Sequence, residues 1–339
     1  MVVNYRSYEL PFHDPFTIAK GSKTHQPTLL VSLDYRGVTG YGEAPAIGYY
    51  GVTIEKLISD IESKRKLIEQ YAFTEPERFW HYLHHLFPGN NFLVAALDIA
   101  YWDLFGKARK SPLKKMWDLE ETDSPLTDYT IGIDSTEIMI RKMDEKPWPV
   151  YKIKMGNGVG IDTIEQLRKH TEGLIRVDVN EGWSREEAMQ YIPQLAQLGV
   201  ELIEQPLQKD DWEGMKLLYK HSTLPLIADE SCVGEYDVEK CEDHFHGVNI
   251  KLTKCGGITP AVRMIDDAKE FGLKVMLGSM NESTIGTAAI AHLAPLADYL
   301  DCDGPLLLKE DVASGLLFEH GKVITSAEPG LGVSLFESF

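Results

Sequence analysis

Apolar and polar positions change rhythm twice along the chain. The first ~50 residues read as strands: Leu29-Leu30-Val31-Ser32-Leu33 is a β-rich run, and Gly37, Gly40 and Gly42 are expected to punctuate the turns that follow. Behind Thr53, a residue suited to capping a helix, Ile54, Leu57, Ile58, Ile61 and Ile68 fall at helical spacing. A second apolar helix is expected from about Phe92 to Phe105, so the opening third reads as an α+β unit. From about residue 126 short β-rich runs alternate with helical segments. These runs end at Ile133, Lys154, Asp178, Glu204, Asp229, Lys251, Leu277 and Asp301, spaced 21 to 26 residues apart, about the length of a strand, a helix and two short loops. Ser184 with Glu187 spells a capping box, and Thr259-Pro260 predicts a helix cap followed by a proline at the first helical position.

Eight such runs with helices between them predict an α/β fold in which a closed parallel barrel presents its C-terminal strand ends as the active face. The rival is an open doubly wound sheet. It normally binds a nucleotide through a Gly-rich turn, and neither GxGxxG nor GxxxxGK occurs.

Composition narrows the function. The 339 residues are 43% hydrophobic and 25% charged, with a formal net charge of -18. A surface that acidic repels nucleic acid and anionic membranes, so neither is an expected partner. There is no apolar run long enough for a membrane span and no basic-then-apolar start, so no secretory signal is expected. Cys232, Cys241, Cys255 and Cys302 form no CxxC pair or zinc spacing and read as reduced thiols of a cytoplasmic enzyme.

The strand ends carry the candidate chemistry. Asp178, Glu204 and Asp229 close three consecutive runs, and neighbouring strands lie about 5 Å apart. Three carboxylates at that range repel unless a cation sits among them, and oxygen ligands suit Mg²⁺ or Mn²⁺. A lone carboxylate here would merely cap the next helix; three in succession point to metal, with Asn180 and Glu230 as supporting groups just beyond. Lys152 and Lys154 are two apart and face the same way, into the barrel, while Tyr151, Ile153 and Met155 face the helices. Two adjacent ammonium groups are expected to lower each other's pKa, helping one become a base. Lys251 ends a strand four units further round, across a ring of eight. Asp301 and Asp303 form another same-face pair, suited either to a cationic substrate group or to a rim or capping role.

At these residues the chain resembles the enolase superfamily, in its muconate-lactonizing subgroup, over nearly its whole length. The segments that carry the resemblance are GYGEAPA (40–46), AALDIAYWDLFGK (95–107), YKIKMG (151–156), RVDVNEGW (176–183), ELIEQPL (201–207), IADES (227–231) and NIKLTKCGG (249–257). The resemblance implies a (β/α)7β TIM-like barrel over residues 121–321 beneath an α+β capping domain of residues 1–120, completed by about 322–339. It implies Mg²⁺ on Asp178, Glu204 and Asp229, acid/base roles for Lys154 and Lys251, and support from Lys152. DCDGP (301–305) and GSMNES (278–283) resemble dipeptide epimerases, in which the Asp-x-Asp pair holds the substrate ammonium. On that resemblance Ser279, Met280 and Glu282 also meet the substrate.

The implied reaction inverts the α-carbon of the C-terminal residue of an L-Ala-L-Xaa-type dipeptide, by two-lysine proton transfer through an enediolate. N-acylamino acid racemases and o-succinylbenzoate synthases have no ammonium for Asp301 and Asp303 to hold. A cycloisomerase shares the half-reaction. A Schiff-base aldolase and a dipeptide-binding protein without catalysis are the rivals from other classes. Ala-Glu epimerases carry an Arg in the loop after the first strand, on the substrate's side-chain carboxylate; here that loop, PFTIAKGSKTHQ (15–26), offers Lys20 and Lys23 as the substrate-binding residues instead. Either lysine takes the place of that Arg, or the second residue differs; the expectation leans to an uncharged, apolar one. The expected partner is thus a small dipeptide, in a monomer or a homo-oligomer.

Overall fold

The computed structural model describes residues 1–120, 124–156 and 158–337. Strands β1 (Val2–Ile18), β2 (Gly21–Tyr35) and β3 (Val38–Pro45) form an antiparallel sheet in that order, packed by helices α1 (Ile54–Gln70), α2 (Pro76–Leu86) and α3 (Asn91–Ala108). Thr53 caps α1 by accepting from Lys56 N at 3.2 Å, and Leu57, Ile61 and Ile68 are buried beneath it. Helix α2 was not expected from the pattern; Pro76 starts it, and Phe79, Trp80 and Leu83 bury one side.

Of the three expected turn glycines, Gly37 lies in a turn, at φ 81°. Gly40 and Gly42 are instead inside β3, two apart and so on one face. There α3 lies so close that a Cβ on Gly40 or Gly42 would strike the Ala100 or Ala96 carbonyl. Substituting Gly42→Ala is therefore expected to destabilise the fold by about 3 kcal/mol, the upper end of overpacking costs. Denaturant unfolding measures this, and a loss below about 1 kcal/mol would mean that α3 moves aside freely.

The second half alternates strand and helix. Its elements are β4 (Tyr129–Ile131), α4 (Thr136–Glu145), β5 (Val150–Lys154), α5 (Ile161–Arg168), β6 (Leu174–Asp178), α6 (Arg185–Gln197), β7 (Val200–Glu204), α7 (Trp212–His221), β8 (Leu226–Ala228), α8 (Glu235–Cys241) and β9 (Gly247–Ile250). There follow α9 (Leu252–Cys255), α10 (Ile258–Glu270), β10 (Lys274–Gly278), α11 (Thr284–Ala291) and β11 (Tyr299–Asp301). Strands β4 to β11 are parallel and adjacent in chain order. The ring closes where Thr127 bridges Leu300 and Asp128 N donates to Leu300 O at 3.2 Å. This is the expected TIM-like barrel of eight strands. Tyr151, Ile153 and Met155 join the large apolar layer outside the strands, while Leu202, Ile227 and Met276 form a separate apolar cluster with Tyr299. The Ser184–Glu187 capping box forms at the start of α6.

One expected helix start is corrected. Helix α10 begins at Ile258, not after Thr259, because Gly256 and Gly257 both take positive φ (104° and 121°) and turn the chain early. Thr259 then donates from its backbone N (3.0 Å) and its hydroxyl (2.8 Å) to Asp98 of α3. In the same way Glu43 of β3 accepts from Ser283 N and Gly286 N, each at 3.1 Å, at the start of α11. Carboxylates of the first half thus satisfy the amides that open two barrel helices. After β11 the chain returns to α3, where Leu331 N donates to Asp103 Oδ1 at 2.8 Å. The expected boundary at 120–121 adjoins residues 121–123, and the end of 322–339 includes 338–339; these lie outside the described residues. Among the described residues no helix is long and apolar enough to cross a membrane.

Burial pushes Asp98 up to about 7 despite the donors from Thr259. An aspartate in the unfolded chain titrates near ~4. Between those values the folded state alone keeps the proton, so stability from this group falls as the pH rises through the window and is constant above it. Asp98→Asn cannot ionise. In urea unfolding from pH 5 to 8, the stability difference is expected to move in the variant's favour as pH rises; a pH-independent difference would contradict this.

Candidate active site

The C-terminal strand ends open into a cavity of about 130 Å³ bounded by the barrel and by segments of the first half. Lys152, Lys154, Asp229, Lys251, Asp301 and Asp303 line it, with Asn180 and Glu230 beside them. Asp178 and Glu204 sit just beneath, essentially inaccessible.

Inward alternation puts these side chains together. In the sheet register Lys152 pairs with Arg176, Lys154 with Asp178, and Asp178 with Glu204. Lys154 Nζ donates to Asp178 Oδ2 at 2.5 Å and to Asn180 Oδ1 at 3.3 Å. Lys152 Nζ lies 2.7 Å from Asp301 Oδ2, 2.9 Å from Glu204 Oε2 and 3.2 Å from Asp178 Oδ2. Lys251 Nζ donates to Asp229 Oδ2 at 2.8 Å. Strands β5 and β9 are separated by β6, β7 and β8, so Lys154 and Lys251 stand on opposite sides of the ring.

The lowering expected for Lys152 from its neighbour Lys154 is not what this environment gives. Burial lowers Lys152, but Asp301, Glu204 and Asp178 outweigh it and hold the ammonium well above its ordinary range. Lys251 is likewise raised, burial being outweighed by Asp229 and Glu204. Burial raises Asp229, yet Lys251 and Lys254 overcome it and hold the carboxyl well below its usual value. Burial and Asp178 together raise Glu204. Its Oε1 accepts from Asn249 Nδ2 at 2.8 Å, whereas its buried Oε2 makes no hydrogen bond among the described residues, only the ion pair with Lys152.

Asp301 and Asp303, the same-face pair of the last strand, each already have a partner. Asp301 is ion-paired to Lys152, and Asp303 Oδ2 accepts from Thr130 N at 2.6 Å. With Asp128 they form the tightest acidic grouping among the described residues, one oxygen from each lying within 4.8 Å of the others. Asp128 is bound by Arg176 Nη1 at 2.9 Å, but its Oδ1 has no hydrogen-bond partner among the described residues. Burial and Asp301 raise Asp303 to about 6. Such a grouping attracts a cation.

The loop between β1 and β2 reaches over the cavity. Lys20 pairs with Glu181 and, at 3.3 Å, with Glu230, and its ammonium sits 3.8 Å from the Tyr49 ring centre. Lys23 bonds to Gln26 and approaches Phe12 and Phe16; burial and Lys154 push it down to about 8. Ser279 and Met280 are on the cavity wall. Glu282 is not: it is buried behind, accepting from Met280 N at 3.1 Å, and burial with Glu43 raises it to about 8. It follows the bend at Asn281 between β10 and α11 and holds that loop through Met280 N, so it is not placed on the cavity wall for the expected substrate contact.

Asp128, Arg176, Asn249 and Lys254 have no counterpart among the sequence-predicted residues. Arg176 and Asn249 each precede a selected strand-end residue by two positions, so the same alternation would have found them. Nearby, Asn180, Glu181 and Gln205 hold positive φ of 47°, 69° and 38°, a concentration of backbone strain at the strand ends.

Residues 2–117 match the family model of the mandelate racemase / muconate lactonizing enzyme N-terminal domain, and residues 137–338 match the enolase C-terminal domain-like model. A Flavobacterium johnsoniae protein named L-Ala-D/L-amino acid epimerase is 47% identical over 330 residues, covering 97% of this chain and 98% of its own. The substrate-liganded structure of the L-Ala-D/L-Glu epimerase from Bacillus subtilis aligns with a TM-score of 0.93 at 29% identity over 98% of both chains. A dipeptide epimerase from Enterococcus faecalis, solved with Mg and the dipeptide L-Leu-L-Tyr, aligns with a TM-score of 0.92 at 29% identity, covering 98% of this chain and 99% of its own. With both halves of the chain matched and a relative of that identity spanning nearly all of it, this protein belongs to the mandelate racemase / muconate lactonizing enzyme family of the enolase superfamily.

Proposed function

We propose that this protein is a Mg²⁺-dependent dipeptide epimerase that inverts the α-carbon of the C-terminal residue of L-Ala-L-Xaa-type dipeptides. The observation that carries it is the placement of Lys154 and Lys251 on opposite strands of one cavity, with acidic groups between and beside them. The names of the Flavobacterium relative and of the two liganded structures support the same activity.

Asp178, Glu204 and Asp229 are the residues that would hold Mg²⁺, with Mn²⁺ as a substitute. The donors are all carboxylate oxygens, and Glu204 Oε2, which accepts no hydrogen bond among the described residues and has only the Lys152 ammonium beside it, fits a hard cation. The ion supplies positive charge against the negative charge that develops on the substrate carboxylate. Lys152, tied to three carboxylates, stays a fixed cation beside that carboxylate. Lys154 takes the α-proton from one face while Lys251 delivers one to the other; the roles exchange in the reverse direction. Asp301 and Asp303 hold the substrate ammonium, and Arg176 fixes Asp128 beneath them. Asn180 steadies Lys154, and Glu230 receives Lys20.

Lys20 is committed to Glu181 and Glu230, so it closes the loop over the cavity and does not read the substrate. The wall that remains for the second side chain includes Phe16, Ile18, Ile47, Tyr50 and Met280, which favours an uncharged, apolar residue over an acidic one. All four cysteines are buried and unpaired, in keeping with a reducing, cytoplasmic setting.

The test is a panel of L-Ala-L-Xaa dipeptides incubated in D₂O with Mg²⁺. Deuterium at the second α-carbon and appearance of the L,D product are expected, most rapidly for apolar Xaa. Absence of exchange from every dipeptide would overturn the assignment. Borohydride trapping without metal would point to a Schiff-base enzyme instead.

A further inference from the structure

One buried cation takes no part in the chemistry above. Lys254, on the short helix α9, is 1% exposed and absent from the cavity wall. Its ammonium donates to four oxygens: Asp229 Oδ1 and Asp229 O, each at 2.6 Å, Cys232 O at 2.8 Å and Asn249 O at 3.2 Å. Its own carbonyl accepts from Asn91 Nδ2, at the start of α3, at 2.7 Å. A fully buried ammonium is costly unless it is paired and satisfied, and this one is both.

Two of its bonds go to one residue. Gripping both the backbone carbonyl and Oδ1 of Asp229 fixes the carboxylate's rotation, so that Oδ2 alone turns toward Lys251 and the cavity. We propose that Lys254 is a positioning residue for the cation site: it withdraws one oxygen of Asp229 and presents the other, so that Asp229 serves the metal as a single-oxygen ligand held in register with Lys251. This rests on the assignment of Asp229 as a Mg²⁺ ligand. Groups that only orient a metal ligand typically change affinity 10- to 100-fold when removed.

The experiment titrates Mg²⁺ calorimetrically into wild type, Asp229→Asn, Lys254→Met and Lys254→Arg, each first checked for folding by circular dichroism. Lys254→Met keeps the stem to the Cε position and removes the ammonium. Lys254→Arg keeps the charge but cannot serve the same four acceptors, and it carries the test should the methionine variant not fold. Either variant is expected to bind Mg²⁺ about 10 to 100 times more weakly, while the dipeptide KM at saturating Mg²⁺ changes less than about threefold. In Lys254→Ala, added propylammonium is expected to restore part of the affinity, and to do nothing for wild type. A merely structural lysine would lower the melting temperature and leave the Mg²⁺ affinity alone. A folded variant that binds Mg²⁺ within about twofold of wild type overturns the proposal. Should wild type itself bind no Mg²⁺, or Asp229→Asn bind it undiminished, the ligand assignment falls first and this proposal with it.

Discussion

Replacing Lys251 with alanine is expected to abolish epimerisation, with a loss of roughly a thousandfold or more, within the range for removing a positioned acid or base. The diagnostic is which half-reaction survives. With Lys154 intact on the far side of the ring, one epimer of the substrate still presents its α-proton to a base and still exchanges it with D₂O, returning with retained configuration. The other epimer presents its proton to the missing amine and exchanges only at background. Lys154→Ala is expected to show the mirror image. Both exchanges are read by mass spectrometry or NMR from each pure epimer. Equal residual exchange from both epimers in either variant would sink the two-base scheme, because it would mean one group serves both faces. Loss of Lys251 also removes the partner of Asp229 Oδ2, so the exchange is measured at saturating Mg²⁺ to separate a weakened metal site from a missing base.

Stripping the metal is expected to have an effect of similar size. A chelator should bring turnover to background, and Mg²⁺ should restore it. Glu204→Gln isolates the cause at one proposed ligand: the amide can still accept from Asn249 as Glu204 Oε1 does, but the negative charge beside Lys152, beneath the cavity, is gone. Its Mg²⁺ affinity is expected to fall at least about a hundredfold, beyond the range for groups that merely orient a ligand. Full activity in chelator, or a Glu204→Gln protein that binds Mg²⁺ as tightly as wild type, would remove the metal from the scheme.

Much of this site was legible in the sequence because a barrel converts chain rhythm into space. Asp178, Glu204 and Asp229 each close an apolar run, and the count of runs places Lys251 opposite Lys154; the sheet order agrees. Side chains whose meaning comes from a distant part of the chain were not legible. Lys254 looks like any lysine of a short helix until Asp229 and Cys232 fold around it. Asp128 precedes a three-residue strand and gains its place when Leu300 closes the ring. Gly40 and Gly42 looked like turn residues because a glycine that admits a neighbouring helix and one that permits a turn are the same letter. Lys152 departs from its expected lowering for a related reason: spacing revealed the like charge two residues away, but not the carboxylates of three other strands that outweigh burial.

The carboxylates of Asp98 and Glu43 have a consequence for how substrate preference can change in this protein. Each is a rivet driven from the upper half into the first turn of a barrel helix, so the lid frame has no hinge there about which to swing. The hairpin tip that bears Lys20 and Lys23 and the stretch around Tyr49 cover the cavity and meet the barrel at Glu181, through side chains at the surface of the site. Substitutions in the tip are therefore expected to change which side chain is accepted while the strand-end lysines keep their alignment.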